Sequence, residues 1–103
     1  MLVYLKRKDI DAVGDYFPEK KIFVVKAGSH VSSEVSTAEK FRGAKAIEKY
    51  REQYVRNGIV ITDAVFSSSS TAGNFVTGFS TNGLTAWKTE DGRSLKDALD
   101  ALN

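Results

Sequence analysis

The run Phe66–Lys88, FSSSSTAGNFVTGFSTNGLTAWK, decides how this chain is read. Ser68 stands where a side-chain oxygen can accept from an orphan amide at the start of a helix. Beyond it, Ala72, Phe75 and Val76 share one helical face and Ser70, Asn74 and Thr77 the other, which predicts a helix over Ser69–Thr77 ended by Gly78. So thin an apolar stripe does not sustain a short helix in water, so this one must be held by packing. Asn82-Gly83 is a hairpin dipeptide, and Leu84-Thr85-Ala86-Trp87 after it reads as a strand. Trp87, the only tryptophan, is expected to be buried because of its large apolar area.

Working outward toward the C-terminus, Asp91-Gly92 marks a turn and Ser94 caps a last helix, with Leu95, Ala98, Leu99 and Leu102 on its core side. Upstream, Ser36-Thr37-Ala38-Glu39 has capping-box spacing, which predicts a long helix from there to Arg56, stopped by Asn57-Gly58. Gly43, Ala44, Ile47, Tyr50, Tyr54 and Val55 fall on one side of it, with Phe41 at the margin. Arg51 is the misfit, a charge on the apolar side that requires a snorkelling stem or a helix that bends or ends. Arg42, Lys45, Lys49 and Arg56 share an arc of about 60° on the opposite side, where Glu48 and Glu52 temper their charge.

The first third reads as an antiparallel meander. Leu2–Leu5 is β-prone, Lys6-Arg7-Lys8-Asp9 interrupts it, Ile10–Tyr16 is a second strand, and Phe17-Pro18-Glu19-Lys20 is a turn. Ile22-Phe23-Val24-Val25 lacks alternation and predicts a central strand covered on both faces. After Ala27-Gly28-Ser29 the chain is expected to return along it as His30–Val35. Gly58–Thr62 reads as a further strand or extended link.

At 103 residues, 42% hydrophobic and 27% charged, the sequence has the size and composition of one globular domain, 1–103. The expected class is α+β: a small antiparallel sheet, made of the N-terminal meander plus a strand near Trp87, with one long and two short helices. No cysteine and a single histidine exclude disulfides, thiolate metal sites and multi-histidine sites. No apolar run approaches the length of a membrane span, and MLVYLKRK lacks a signal-peptide cleavage site, so a cytoplasmic, membrane-free protein is expected. The net charge of +2 is uneven: residues 1–56 carry 12 Lys and Arg against 8 Asp and Glu, residues 57–103 only 3 against 5.

No catalytic pattern emerges. The serine tract lacks a G-x-S-x-G elbow or an S-x-x-K pair, and Gly73 and Gly78 form no phosphate loop. Glu90-Asp91-Gly92 is a turn rather than a metal loop, and His30 has no orienting carboxylate or nucleophile at a recognisable spacing. A non-enzyme without metal or cofactor is expected.

The pattern Phe66-Ser67-Ser68-Ser69-Ser70-Thr71-Ala72-Gly73, then Gly78, Ser80, Asn82-Gly83, Trp87-Lys88, Asp91-Gly92 and Ser94-Leu95, resembles an uncharacterised domain family. That family occurs at the C-terminus of GIY-YIG-type nuclease proteins and in restriction-associated bacterial proteins. Ala12, Gly14, Phe23, Val25 and Gly28-Ser29 extend the resemblance upstream. Ser69 replaces the family's proline, Leu84 its tryptophan and Ala27 its lysine. The serine and Asn-Gly patterns are also similar to the RAMA domain, associated with restriction enzymes and adenine methylases. The resemblance implies a non-catalytic accessory module whose partners are DNA and a nuclease or methylase domain. The positions it nominates are Ser68, Ser70, Asn82, Trp87 and Lys88, and the charge pattern adds Arg42, Lys45, Lys49 and Arg56. A single DNA-binding face requires both sets on one side. The alternatives are a protein-interaction or dimerisation module and a small hydrolase with a nucleophile in the serine tract.

Overall fold

Strands β1 (Leu2–Arg7), β2 (Ile10–Phe17) and β3 (Ile22–Val25) form the antiparallel meander, with Leu5 opposite Ala12 and Gly14 opposite Val25. The structure, a computed structural model, describes residues 1–35 and 43–102. The capping-box segment Ser36-Thr37-Ala38-Glu39, Phe41 and Arg42 therefore lie outside the described residues. Side chains alternate along the strands: Val3, Leu5, Ala12, Phe23 and Val25 are buried, while Leu2, Val13, Ile22 and Val24 are not. The expectation that β3 is covered on both faces is thus corrected, since only Phe23 and Val25 are enclosed.

The return partner of β3 is also different. Its second neighbour is β6 (Ala64–Phe66), with Phe23 opposite Phe66 and Val25 opposite Ala64. The segment around His30 instead pairs with β2 beyond the end of β3. The Ser29 hydroxyl accepts from the Val13 amide at 3.0 Å, and His30 and Asp11 exchange backbone bonds at 2.8 and 3.1 Å. These bonds hold residues 29–30 on β2, so they are not free to run back along β3.

Helix α1 (Ala44–Tyr54) ends before the predicted stop, because Val55 turns extended. Strands β4 (Val55–Arg56) and β5 (Ile59–Val60) then form a tight hairpin. Its two-residue turn is Asn57-Gly58, with φ of 53° and 75°; positive φ at both central residues matches the twist of paired strands. The dipeptide turns left-handed as expected, but as a hairpin rather than as a helix terminus.

Helix α2 (Ser69–Thr77) begins and ends where its sequence predicts. The Ser68 hydroxyl accepts from the Thr71 amide at 3.1 Å, and Gly78 closes the helix in the left-handed region. Ala72, Phe75 and Val76 are buried, as is Thr77, expected on the polar face; its hydroxyl meets Thr81 Oγ1 at 2.7 Å and the Phe79 carbonyl at 3.0 Å. The hairpin expected at Asn82-Gly83 is replaced by a short helix, α3 (Gly83–Ala86), whose N-cap is Asn82: its side-chain oxygen accepts from the Leu84 amide at 3.1 Å. The strand expected near Trp87 contracts to isolated bridges at Lys88, which lies opposite Tyr4 at the free edge of β1 and opposite Ser94. Last comes α4 (Leu95–Asp100), capped by Ser94. Leu95 and Ala98 are buried, but Leu102 lies past the helix end and is exposed.

The class is α+β as expected, with a four-stranded antiparallel sheet in the order β1-β2-β3-β6, the small β4-β5 sheet and, among the described residues, one long and three shorter helices. The core is one cluster on one face of the large sheet. Trp87, fully buried, stacks at 4.7 Å from Phe23, while Phe66 bridges Phe75 and Tyr50 at 5.0 and 5.1 Å between ring centres. Among the described residues no helix covers the opposite face.

Candidate nucleic-acid interface

Most polar groups nominated in the Ser68–Trp87 stretch are used inside the fold. Ser68 caps α2, and the Ser70 hydroxyl accepts from the Gly83 amide at 3.0 Å, tying α2 to α3. Asn82 caps α3, and Trp87 donates its indole N–H to the Ser69 carbonyl at 3.0 Å from a fully buried site. Trp87 therefore offers no surface to a ligand, and the three polar side chains already have partners.

The positive charges divide into two groups. Lys45 and Lys49 are exposed on α1, pointing about 160° around the helix from the buried Ile47. Arg56 lies beyond the end of α1, where Nη1 donates to the carbonyls of Glu52 and Val55 at 2.6 and 2.8 Å, so it is partly committed to closing the helix. Lys88 belongs to the other group. Its backbone exchanges bonds with Tyr4 at 2.7 and 2.8 Å, which sets it beside β1 and near Lys6 and Arg7. The four-residue charge run that interrupts the first apolar segment is thus only half turn: Lys6 and Arg7 continue β1, and Lys8-Asp9 make the turn.

Between β1 and the segment following α3 lies a hollow of about 550 Å³, lined by Tyr4, Lys6, Arg7, Thr85, Lys88 and Thr89 among others. Its lining carries three cationic residues, Lys6, Arg7 and Lys88, and one carboxylate, Glu90. The Lys6 ammonium sits 5.8 Å from the centre of the Tyr4 ring, within reach of its negative face. Because backbone groups alternate sides along a strand, the N–H and C=O of Lys6 point outward like those of Tyr4. Sequence reading found Lys88 but missed Lys6 and Arg7; a basic run at a hairpin end was the available signal, and only the bridge to Tyr4 joins it to Lys88.

A second, larger cleft of about 720 Å³ brings together Asp9, His30, Ser32, Glu48, Arg51 and Glu52. Arg51 resolves the misfit on the apolar side of α1. Its guanidinium donates to the carbonyls of Phe75, Val76 and Ser32 at 3.0, 3.2 and 2.7 Å and to the Ser32 hydroxyl at 2.8 Å. It thereby satisfies two carbonyls in the last turn of α2, where a cation is favoured. Burial lowers its pKa, and the nearby Asp9 opposes that shift. Among the described residues no group of three or more His, Asp or Glu is placed to hold a metal ion, and no helix is long and apolar enough to cross a membrane.

Residues 3–99 match the family described as a domain of unknown function, DUF4357. The chain belongs to that family. No curated protein and no solved structure matches it. The match spans nearly the whole of the fold, from β1 through the last residues of α4, so the hollow at the β1 edge lies within the DUF4357 domain. Chemically, the hollow can attract and hydrogen-bond an anion.

Proposed function

We propose that this DUF4357 domain is a non-catalytic accessory module of nucleic-acid-processing proteins, contacting DNA phosphates through Lys6, Arg7 and Lys88. The convergence of these three cations and the outward Lys6 amide on one hollow is the observation that carries the reading. Cation side chains and backbone amides are the groups that position a protein on a phosphate backbone without reading sequence. The sequence resemblance to domains attached to GIY-YIG-type nucleases and found in restriction-associated proteins supports it, and suggests a nuclease or methylase domain as the working partner, in the cytoplasm. Lys45 and Lys49 form a separate patch that could extend the contact along the backbone.

Fluorescence anisotropy with a labelled duplex, titrated over a range of salt, tests the reading. Binding is expected to weaken linearly in log salt, with about one counterion released per phosphate contacted. The combination Lys6→Glu, Arg7→Glu and Lys88→Glu should weaken binding by at least about tenfold. Absence of binding at low salt overturns the proposal, as does unchanged binding by the triple variant. A loss confined to Lys45→Glu and Lys49→Glu would move the interface to α1.

A further inference from the structure

The face of the large sheet turned away from the core carries an apolar area bordered by charges, and among the described residues no helix covers it. Following the register, one row across the four strands reads Leu2, Asp15, Val24, Val65, the next Tyr4, Val13, Lys26, Asp63, and a third begins with Lys6 and Asp11. On the far side, Phe17 lies opposite Ile22. Leu2 and Val65, at the two edges, are 52% and 55% exposed. Asp15, the carboxylate inside the apolar area, is paired with the N-terminal ammonium at 3.1 Å.

The charges bordering this area alternate in sign from strand to strand: Lys6 on β1, Asp11 on β2, Lys26 after β3 and Asp63 before β6. All four lie at the same end of the sheet, because β1 and β3 finish there and β2 and β6 begin there. A two-fold axis parallel to the strands lays one such sheet on another with the strand order reversed. Lys6 then stands over Asp63 of the second copy, and Asp11 over its Lys26, each offset by about one residue pair along the strand. Each of these four charges meets one of opposite sign while Leu2 meets Val65; Lys26 and Asp63 already pair at 3.2 Å within one chain, and the second copy's Asp11 and Lys6 extend that pair into a four-charge network. A polyanion would face three carboxylates here, and a strongly charged protein partner would meet as many like charges as opposite ones.

We infer that this open face is a self-association surface that pairs two copies of the chain sheet to sheet. The interface is isologous, as two-fold symmetry demands, and follows the aligned packing of two twisted sheets about 10 Å apart. Four strands about 4.8 Å apart and three to four residue rows give a footprint of about 20 by 20 Å. That lies below the standard interface size, so the dimer is reversible. The inference goes beyond the DNA reading and is tested without nucleic acid, so either can fail alone.

Sedimentation velocity over a concentration series is the test. The full chain is expected to pass from monomer to dimer as concentration rises. Val65→Asp, at an exposed position, should keep it monomeric with an unchanged circular dichroism spectrum. Lys6→Glu and Asp63→Lys should each raise the dimer dissociation constant by about tenfold or more. An equimolar mixture of those two variants should restore the dimer, because both contacts are then opposite in sign. A monomer at every concentration overturns the inference, as does a dimer indifferent to Val65→Asp. Two folded charge variants whose mixture stays monomeric overturn the two-fold arrangement. Thermal unfolding of Asp63→Lys controls for the lost 2.8 Å bond from the Ala27 amide.

Discussion

Asn57-Gly58 and Asn82-Gly83 are one dipeptide in two structures, and their glycines are needed for unrelated reasons. At Asn57-Gly58 both residues have positive φ and the turn opens to solvent; a Cβ added to Gly58 would meet nothing closer than the Val31 carbonyl at 3.9 Å. At Asn82-Gly83 the glycine has ordinary backbone angles but no room. A Cβ there would fall 2.2 Å from the carbonyl carbon of Ser69 and 2.5 Å from the Ser70 amide. One site uses glycine for its conformation, the other for its lack of volume. The second demand comes wholly from tertiary packing of α3 on α2, which is also why the turn signal fails there.

Breaking the packed site should therefore cost far more than breaking the turn. Gly83→Ala pushes backbone against backbone, and urea denaturation should show a loss of about 3 kcal/mol or more. Trp87→Phe removes the indole bond to Ser69 and leaves a gap beside Phe23; a loss of about 2 kcal/mol is expected from the same measurement. Gly58→Ala should cost only about 1 kcal/mol, because strain in φ is the whole penalty. Asn82→Gly keeps the helix start permissive and should shift stability by a few tenths of a kcal/mol. If Gly58→Ala proved as costly as Gly83→Ala, the distinction between conformation and volume would fall.

What the sequence disclosed follows the range of the forces involved. The bounds of α2 were legible because Ser68 and Gly78 act on amides and carbonyls within one turn of themselves. The meander was legible because its strands are joined by short turns. The partnership of β3 with β6 was not, since Phe23 and Phe66 lie far apart in the sequence and no local signal joins them. Asn82-Gly83 misled because local turn chemistry was outweighed by the Ser70–Gly83 bond and the burial of Trp87. At the candidate interface Lys88 was nominated, yet its neighbours Lys6 and Arg7 were read as a strand break; their meeting depends on a single long-range bridge. Arg51 was recognised as anomalous, but the carbonyls that explain it belong to a helix 24 and 25 residues further on.

The position of Trp87 has a practical consequence. As the only indole, fully enclosed beside Phe23, it should emit at short wavelength and resist quenching by iodide or acrylamide. Its emission would then stay silent to events at the sheet surface or the β1 rim, and shift red only when the interior opens. A single fluorophore thus reports the integrity of the fold in any titration of this domain, and separates a variant that has lost a ligand from one that has lost its structure.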